Sequence, residues 1–89
     1  MIEKKFTDAV NKMGGLAPKF VSPGLSGVPD RIVLMPDGKI GFIELKAPGK
    51  TMRALQEKRK RQLEALGFLV FCLDNTEEIE VMINAICAT

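Results

Sequence analysis

The sequence predicts an α/β fold in which a mixed four-stranded sheet is flanked by helices, in the order αβββαβα. Two apolar runs, Arg31–Met35 and Ile40–Leu45, flank a Pro-Asp-Gly turn and indicate a β-hairpin that is buried on both faces. The continuous apolar run Phe68–Leu73 indicates a buried parallel strand. Apolar residues at helical spacing precede the hairpin, separate it from that strand and follow the strand. With 89 residues, the chain is expected to form one domain, residues 1–89.

The first third of the chain predicts a helix, a short strand and a loop. The helix ends at Gly14-Gly15, and its apolar face consists of Ile2, Phe6, Ala9, Val10 and Met13. Residues Leu16–Val21 indicate an edge-like strand that Pro18 interrupts. The glycine-rich loop of residues 22–27 lacks the spacing of a phosphate-binding loop, so no nucleotide cofactor is expected.

The last half of the chain predicts a helix, a strand and a final helix. The first of these helices runs from about Met52 to Leu66, with Thr51 as its N-cap and Gly67 at its end. Its inward face is marked by Leu55, Leu63 and Leu66. Asn75 caps the final helix, and Glu78 is its capping-box partner. The span Ile40–Leu73 is thus a βαβ unit, which is expected to be right-handed.

Three charged residues, Asp30, Glu44 and Lys46, interrupt the apolar pattern at one end of the hairpin. Burying charges is costly unless they are paired or bind a metal ion, so these three require an explanation. A two-residue turn would place Asp30 opposite Leu45, with its side chain directed away from Glu44.

A three-residue turn brings the charged residues together instead. Pro36 and Asp37 would form a type I turn, and Gly38 would take the left-handed position that follows it. Asp30 then lies directly opposite Glu44, and Lys46 lies two residues further along the same face. Because two neighbouring carboxylates repel each other, a divalent cation between them is the usual remedy.

These residues resemble the PD-(D/E)xK nuclease superfamily, with Pro29-Asp30 as the first half of its motif and Glu44-Leu45-Lys46 as the second. The surrounding segments, Gly27–Arg31 and Phe42–Gly49, together with Gln56 on the next helix, resemble the VRR-NUC family in particular. The resemblance covers nearly the whole chain. It implies a restriction-endonuclease-like core, whose element order is the αβββαβα predicted above.

The resemblance also implies roles for individual residues. Asp30, Glu44 and the Leu45 carbonyl would bind Mg²⁺ or Mn²⁺, and hard oxygen ligands argue against zinc. Lys46 would position the attacking water and stabilise charge on the phosphate, and Gln56 would orient Lys46 or that water.

Glu3 has two interpretations. From the sequence alone it is an exposed residue that the helix dipole favours. The resemblance implies instead an acidic residue that reaches the metal site from the first helix, directly or through water, with Asp8 as the second choice.

Composition excludes several chemistries. The chain has no histidine and no tyrosine, which excludes Ser-His-Asp triads, histidine-metal nucleases and covalent tyrosyl–DNA intermediates. The two cysteines, Cys72 and Cys87, lie in apolar surroundings and are expected to be buried thiols. No segment is long and apolar enough to span a membrane, so no membrane partner is expected.

The net charge of +2 is small, but the cations cluster after the hairpin. A solvated helix face is one explanation of such a cluster, and contact with a phosphate backbone is the one we favour. The predicted DNA-binding residues are Arg31, Lys50, Arg53, Lys58, Arg59, Lys60 and Arg61.

The function expected from this combination is metal-dependent endonucleolytic cleavage of DNA. The resemblance implies a branched substrate, a four-way (Holliday) junction, and a homodimer that cuts it symmetrically. A flap-type nuclease is the nearest alternative. A nucleic-acid-binding protein that has lost cleavage and an interaction module with no role on DNA are the others. The expected location is the cytoplasm, that of a bacterial host if the gene belongs to a phage.

Overall fold

A computed structural model of the protein, which describes residues 2–89, shows a three-stranded mixed sheet flanked by helices. The sheet has the spatial order β1-β2-β3, with β1 antiparallel to β2 and β2 parallel to β3. The elements are α1 (Ile2–Lys12), β1 (Arg31–Met35), β2 (Lys39–Leu45), α2 (Ala54–Ala65), β3 (Leu69–Leu73) and α3 (Ile79–Cys87). Short 3-10 turns at Pro36–Gly38 and Thr76–Glu78 join β1 to β2 and β3 to α3.

The predicted strand Leu16–Val21 is not a strand of this sheet, so the expectation of four strands was wrong. The segment nevertheless follows the free edge of β1, where Leu16 and Leu34 exchange both backbone hydrogen bonds, at 2.9 and 2.8 Å. The Pro18 carbonyl accepts a bond from the N–H of Ile32 at 3.1 Å. Proline has no N–H to return, so the hydrogen-bond ladder is interrupted and only isolated bridges remain.

The hairpin has the predicted register. Met35 lies opposite Lys39 and Arg31 opposite Ile43, with the three residues 36–38 between the strands. The turn itself differs from the predicted type I geometry, because Asp37 (φ 67°) is left-handed as well as Gly38 (φ 72°). Aspartate tolerates this conformation better than most residues do.

The sheet lies between α2 on one face and α1 with α3 on the other. The core on the α1–α3 side contains Phe6, Val10, Val33, Met35, Ile43, Leu73, Ile79, Met82, Ile83 and Ile86. Because strand residues alternate in direction, the odd-numbered residues of β1 and β2 face this core. A Cβ atom on Gly41 would lie 2.5 Å from the Cδ1 atom of Ile86, which shows how closely α3 approaches β2. The other face carries Phe42, whose ring packs against Phe20 and Phe68 at centroid distances of 5.7 and 5.6 Å.

The helix ends agree in part with the predicted caps. Helix α2 begins at Ala54, and its N-cap is Arg53, not Thr51 as predicted. Gly67, with φ of 101°, follows the end of α2 as expected. The Asn75 side chain accepts a hydrogen bond from the N–H of Glu78 at 3.2 Å, which confirms the predicted cap before α3. No helix within residues 2–89 is long and apolar enough to cross a membrane.

Candidate active site

The two predicted acidic residues lie together at the end of the hairpin. Continuing the strand register by one residue places Asp30 opposite Glu44, as the three-residue turn predicts. The Asp30 carboxylate accepts a hydrogen bond from the backbone N–H of Leu45 at 2.8 Å, and its carbonyl accepts one from Phe20 N–H, also at 2.8 Å. Asp30 is therefore held from both sides, and its carboxylate is fixed beside the last residues of β2.

Glu44 is buried without a full set of partners. It is 1% exposed, and its Oε2 atom has no hydrogen-bond partner among the described residues. Burial, a side-chain hydrogen bond with Asp30 and the charge of Asp30 together raise the pKa of Glu44 from 4.5 to about 8, while the charge of Lys46 acts in the opposite direction. A buried carboxyl group with a raised pKa is stabilised by anything that neutralises its charge, either a proton or a bound cation.

Lys46 completes the predicted group of three. Its backbone N–H donates to the carbonyl of Leu73 at 3.0 Å, which anchors the residue at the end of the parallel pair β2–β3. The side chain is half-buried and close enough to Glu44 to affect the pKa of that residue. Asp30, Glu44 and Lys46 thus form one group, as the sequence predicts.

A cavity of about 370 Å³ opens beside Asp30 at this end of the sheet. Its lining residues come from helix α1, from the segment along the edge of β1 and from the hairpin: Glu3, Lys19, Phe20, Val21, Asp30 and Leu45. The cavity is the space in which a substrate group could approach the acidic pair. Phe20, whose role the sequence did not reveal, lines the cavity and packs its ring on Phe42.

The acidic pair fits a divalent cation, because it offers hard oxygen ligands and one buried carboxylate oxygen that lacks a partner. Asp30 and Glu44 are the two carboxylates that would hold such an ion. Within residues 2–89 no group of three or more His, Cys, Asp or Glu side chains could hold a metal ion. Glu3 is therefore not gathered with Asp30 and Glu44 into one ligand set, so of the two contacts that the resemblance implies, direct and through water, the direct one is not observed.

The chain is similar to known nucleases in sequence and in structure. No protein-family model matches it. It is 50% identical over 76 residues to "Putative nuclease p44" of Acyrthosiphon pisum secondary endosymbiont phage 1, across 85% of this chain and 82% of that relative. A solved VRR_NUC domain superposes with a TM-score of 0.86 at 26% identity, over 93% of this chain and 90% of that one.

The chain belongs to the VRR-NUC family of nucleases. The predicted resemblance to that family is thereby confirmed. Its VRR-NUC fold brings Asp30, Glu44 and Lys46 together at the end of the hairpin, as described above.

The first-helix acid that faces the VRR-NUC site is Glu3 and not Asp8. Glu3 lines the cavity beside Asp30, and its Oε2 atom accepts a hydrogen bond from Nη2 of Arg31 at 2.6 Å. Asp8 forms an exposed ion pair with Lys4 at 2.9 Å, one turn away along the same helix.

Gln56 makes a different contact from the one that the VRR-NUC resemblance implies. Its side-chain oxygen accepts a hydrogen bond from the backbone N–H of Arg53 at 2.9 Å and so caps α2. Among residues 2–89 no hydrogen bond joins Gln56 to Lys46. Its observed role in the VRR-NUC domain is to begin the helix.

Two of the predicted DNA-binding arginines make hydrogen bonds within the domain and are largely buried. Arg59 is 9% exposed, donates from Nε to the carbonyl of Ser26 at 2.8 Å, and also bonds the side chain of Gln62. The Arg31 side chain is 15% exposed and bonds Glu3. Two nitrogen atoms of each guanidinium are thus bonded to acceptors of the protein itself.

The remaining predicted DNA-binding cations are more accessible. Lys60 is partly buried and lies 3.7 Å from the carboxylate of Glu64. The others are exposed: Lys50, Arg53, Lys58 and Arg61.

Sequence reasoning missed the position of Cys72. It lies opposite Glu44 in the parallel pair β2–β3, and both its burial and the Glu44 charge raise the pKa of its thiol. The register between β2 and β3 would have revealed this neighbour, but a long crossover connection does not fix a register as a short turn does.

Proposed function

We propose that the protein is a metal-dependent endonuclease that hydrolyses phosphodiester bonds in DNA. The observation that carries the proposal is the buried Glu44 carboxylate beside Asp30, whose Oε2 atom has no hydrogen-bond partner among residues 2–89, with Lys46 on the same face. A structural role does not account for this group, since two carboxylates in one place cost stability. Membership of the VRR-NUC family and the name of the phage relative support the same reading.

In the proposed mechanism, Asp30, Glu44 and the Leu45 carbonyl would hold Mg²⁺ or Mn²⁺. Such an ion would supply Lewis-acid activation of the phosphate and of the attacking water. The Leu45 N–H fixes the Asp30 carboxylate at 2.8 Å, so this ligand is in place before a substrate arrives. Lys46 orients the attacking water and stabilises the negative charge that develops on the phosphate.

Exposed cations on and before α2 support a nucleic-acid substrate. We assign phosphate contacts to Lys50, Arg53, Lys58 and Arg61, which remain exposed while Arg59 and Arg31 do not. Their contribution is electrostatic, and it should weaken steeply as salt concentration rises.

The proposed preferred substrate is a four-way junction cut by a homodimer. A junction has two-fold symmetry, so two copies of one site related by a two-fold axis can cut it symmetrically. Exposed apolar side chains support self-association, because Leu66 of the α2–β3 connection is 74% exposed and Leu55 on α2 is 44% exposed. A sedimentation experiment should give twice the mass of the 9.8 kDa chain.

The test of the proposal is cleavage of labelled DNA. The wild type, Glu44→Ala and Glu57→Ala are incubated with a four-way junction, a flap and a duplex, in Mg²⁺, Mn²⁺ or EDTA. We expect junction cleavage in either metal, none in EDTA, none with Glu44→Ala, and normal cleavage with Glu57→Ala, which removes an exposed glutamate of α2. Preferential cleavage of the flap would make the flap, and not the junction, the preferred substrate. DNA binding without any cleavage would refute the proposed nuclease activity.

A further inference from the structure

Arg31 occupies an unusual position for an arginine at the edge of a nuclease site. It is the first residue of β1 and follows Asp30 directly, so the two side chains point to opposite faces of the sheet. Asp30 turns toward Glu44, while Arg31 turns toward α1, where its Nη2 atom donates to Glu3 at 2.6 Å. Asp30 lines the cavity directly, whereas Arg31 is connected to it through Glu3, which is also a lining residue.

The guanidinium joins three parts of the chain. Its Nη2 atom bonds Glu3 of α1, and its Nη1 atom donates to the carbonyl of Ala17 at 2.9 Å. Ala17 precedes the residues Lys19, Phe20 and Val21 that form one wall of the cavity. Arg31 therefore fixes both the wall formed by α1 and the wall formed by the edge segment relative to the strand that carries Asp30.

Arg31 is much less exposed than Glu3, and this argues against a contact between Arg31 and DNA. The Arg31 side chain is 15% exposed, whereas that of Glu3 is 48% exposed. The Nε atom of Arg31 is buried and has no hydrogen-bond partner among the described residues, which is a cost to the fold. A planar guanidinium that can serve two acceptors at once explains why an arginine stands here at that cost.

We propose that Arg31 is a positioning residue that holds the Glu3 carboxylate in the wall of the cavity beside Asp30. This inference rests on the proposed metal-dependent nuclease function. One Glu3 oxygen is bonded to Arg31, and we assign the other oxygen a contact with the metal site through water. The absence of any three-membered ligand group within residues 2–89 agrees with this assignment.

The experiment compares Glu3→Gln, Arg31→Gln, the double variant and Arg31→Lys with the wild type. Lys4→Gln is the matched control, because it breaks an exposed ion pair on the same helix, between Lys4 and Asp8. Binding of Mn²⁺ is measured by titration calorimetry without DNA, and junction cleavage is measured as a function of Mn²⁺ concentration. Thermal unfolding shows which variants are folded at the assay temperature.

Groups that orient a metal site typically contribute a factor of about 10 to 100 in metal affinity or activity. We expect Glu3→Gln and Arg31→Gln each to weaken Mn²⁺ binding by roughly tenfold, at the low end of that range. The double variant should be no weaker than either single variant, because both changes remove the same contact. Arg31→Lys, which keeps the charge, should recover part of the affinity, and Lys4→Gln should have no effect.

Several results would overturn the proposal. Additive effects in the double variant would show that Arg31 and Glu3 act separately. Weaker DNA binding in EDTA by Arg31→Gln but not by Glu3→Gln would make Arg31 a phosphate contact. If Arg31→Gln does not fold, the other two variants still test the proposal. Unchanged Mn²⁺ binding by both Glu3→Gln and Arg31→Lys would refute it. Failure of the nuclease function is distinguishable, because cleavage would then be absent while the coupling in Mn²⁺ binding persisted.

Discussion

Replacing Glu44 by glutamine should make the metal-free protein more stable. The carboxyl group is 1% exposed, and its pKa rises from 4.5 to about 8 on folding. At neutral pH this group is ionised in the unfolded chain. In the folded chain it is protonated, although its ordinary pKa of 4.5 would leave it ionised. Glutamine is uncharged at every pH and can donate a hydrogen bond to Asp30, so it removes this cost.

The magnitude follows from the shift in pKa. A raised carboxyl pKa gives stability that is present below the unfolded pKa and is lost as the pH rises toward the folded one. With 1.36 kcal/mol per pKa unit, the cost at pH 7 is about 3 kcal/mol. Between pH 6 and pH 8 the stability difference between Glu44→Gln and the wild type should grow by about 2 kcal/mol.

The assay is urea unfolding in EDTA at a series of pH values from 5 to 9. Wild type, Glu44→Gln and the control Glu57→Gln are compared, where Glu57 is an exposed residue of α2. Addition of Mn²⁺ should stabilise the wild type and leave Glu44→Gln unchanged, because a ligand stabilises only the state that binds it. A stability difference that stays constant between pH 6 and pH 8 would refute the reasoning, since it would show that Glu44 titrates alike in both states.

Three further changes test the site, the charge assignment and the packing. Lys46→Ala should leave Mn²⁺ stabilisation intact while junction cleavage falls by about 100-fold or more, and undiminished cleavage would refute the role of the lysine. Arg61→Gln should weaken DNA binding in anisotropy titrations and reduce its salt dependence, whereas Arg59→Gln should lower the unfolding midpoint because it releases Ser26. Gly41→Ala should destabilise the fold by about 1–3 kcal/mol in urea unfolding, because the new Cβ meets Ile86, and Ile86→Val should recover part of the loss.

The hairpin and its acidic pair could be predicted because they depend on local rules. Counting residues from the turn fixes which side chains face each other, and the observed register, Met35 opposite Lys39, is the predicted one. The left-handed Asp37 changes the turn conformation without changing its length, so the error in turn type did not affect the pairing of Asp30 with Glu44.

The predictions that were wrong depend on contacts between distant parts of the chain. The segment near Pro18 has the apolar pattern of a strand, and only its alignment with β1 shows where a proline interrupts the ladder. Arg59 looks like part of a uniformly exposed basic run, but its side chain is buried and donates a hydrogen bond to the loop carbonyl of Ser26. Leu66, predicted to face inward, is instead 74% exposed. A periodic pattern identifies a helix better than it identifies which face is buried.

The largely buried arginines of this protein and its buried glutamate differ in their hydrogen-bond partners. Arg31 and Arg59 each donate hydrogen bonds to acceptors within the chain, although the Arg31 Nε atom has no partner among the described residues. Each arginine joins segments that border or lead to the acidic pair. Glu44 has no such partner for Oε2 within residues 2–89, and its burial costs stability at neutral pH. Unlike Arg31, which bonds two acceptors through its other nitrogens, Glu44 stands next to a second carboxylate that disfavours its charge. We propose that its partner comes from outside the chain, and a divalent cation is the partner whose charge and ligand preference fit.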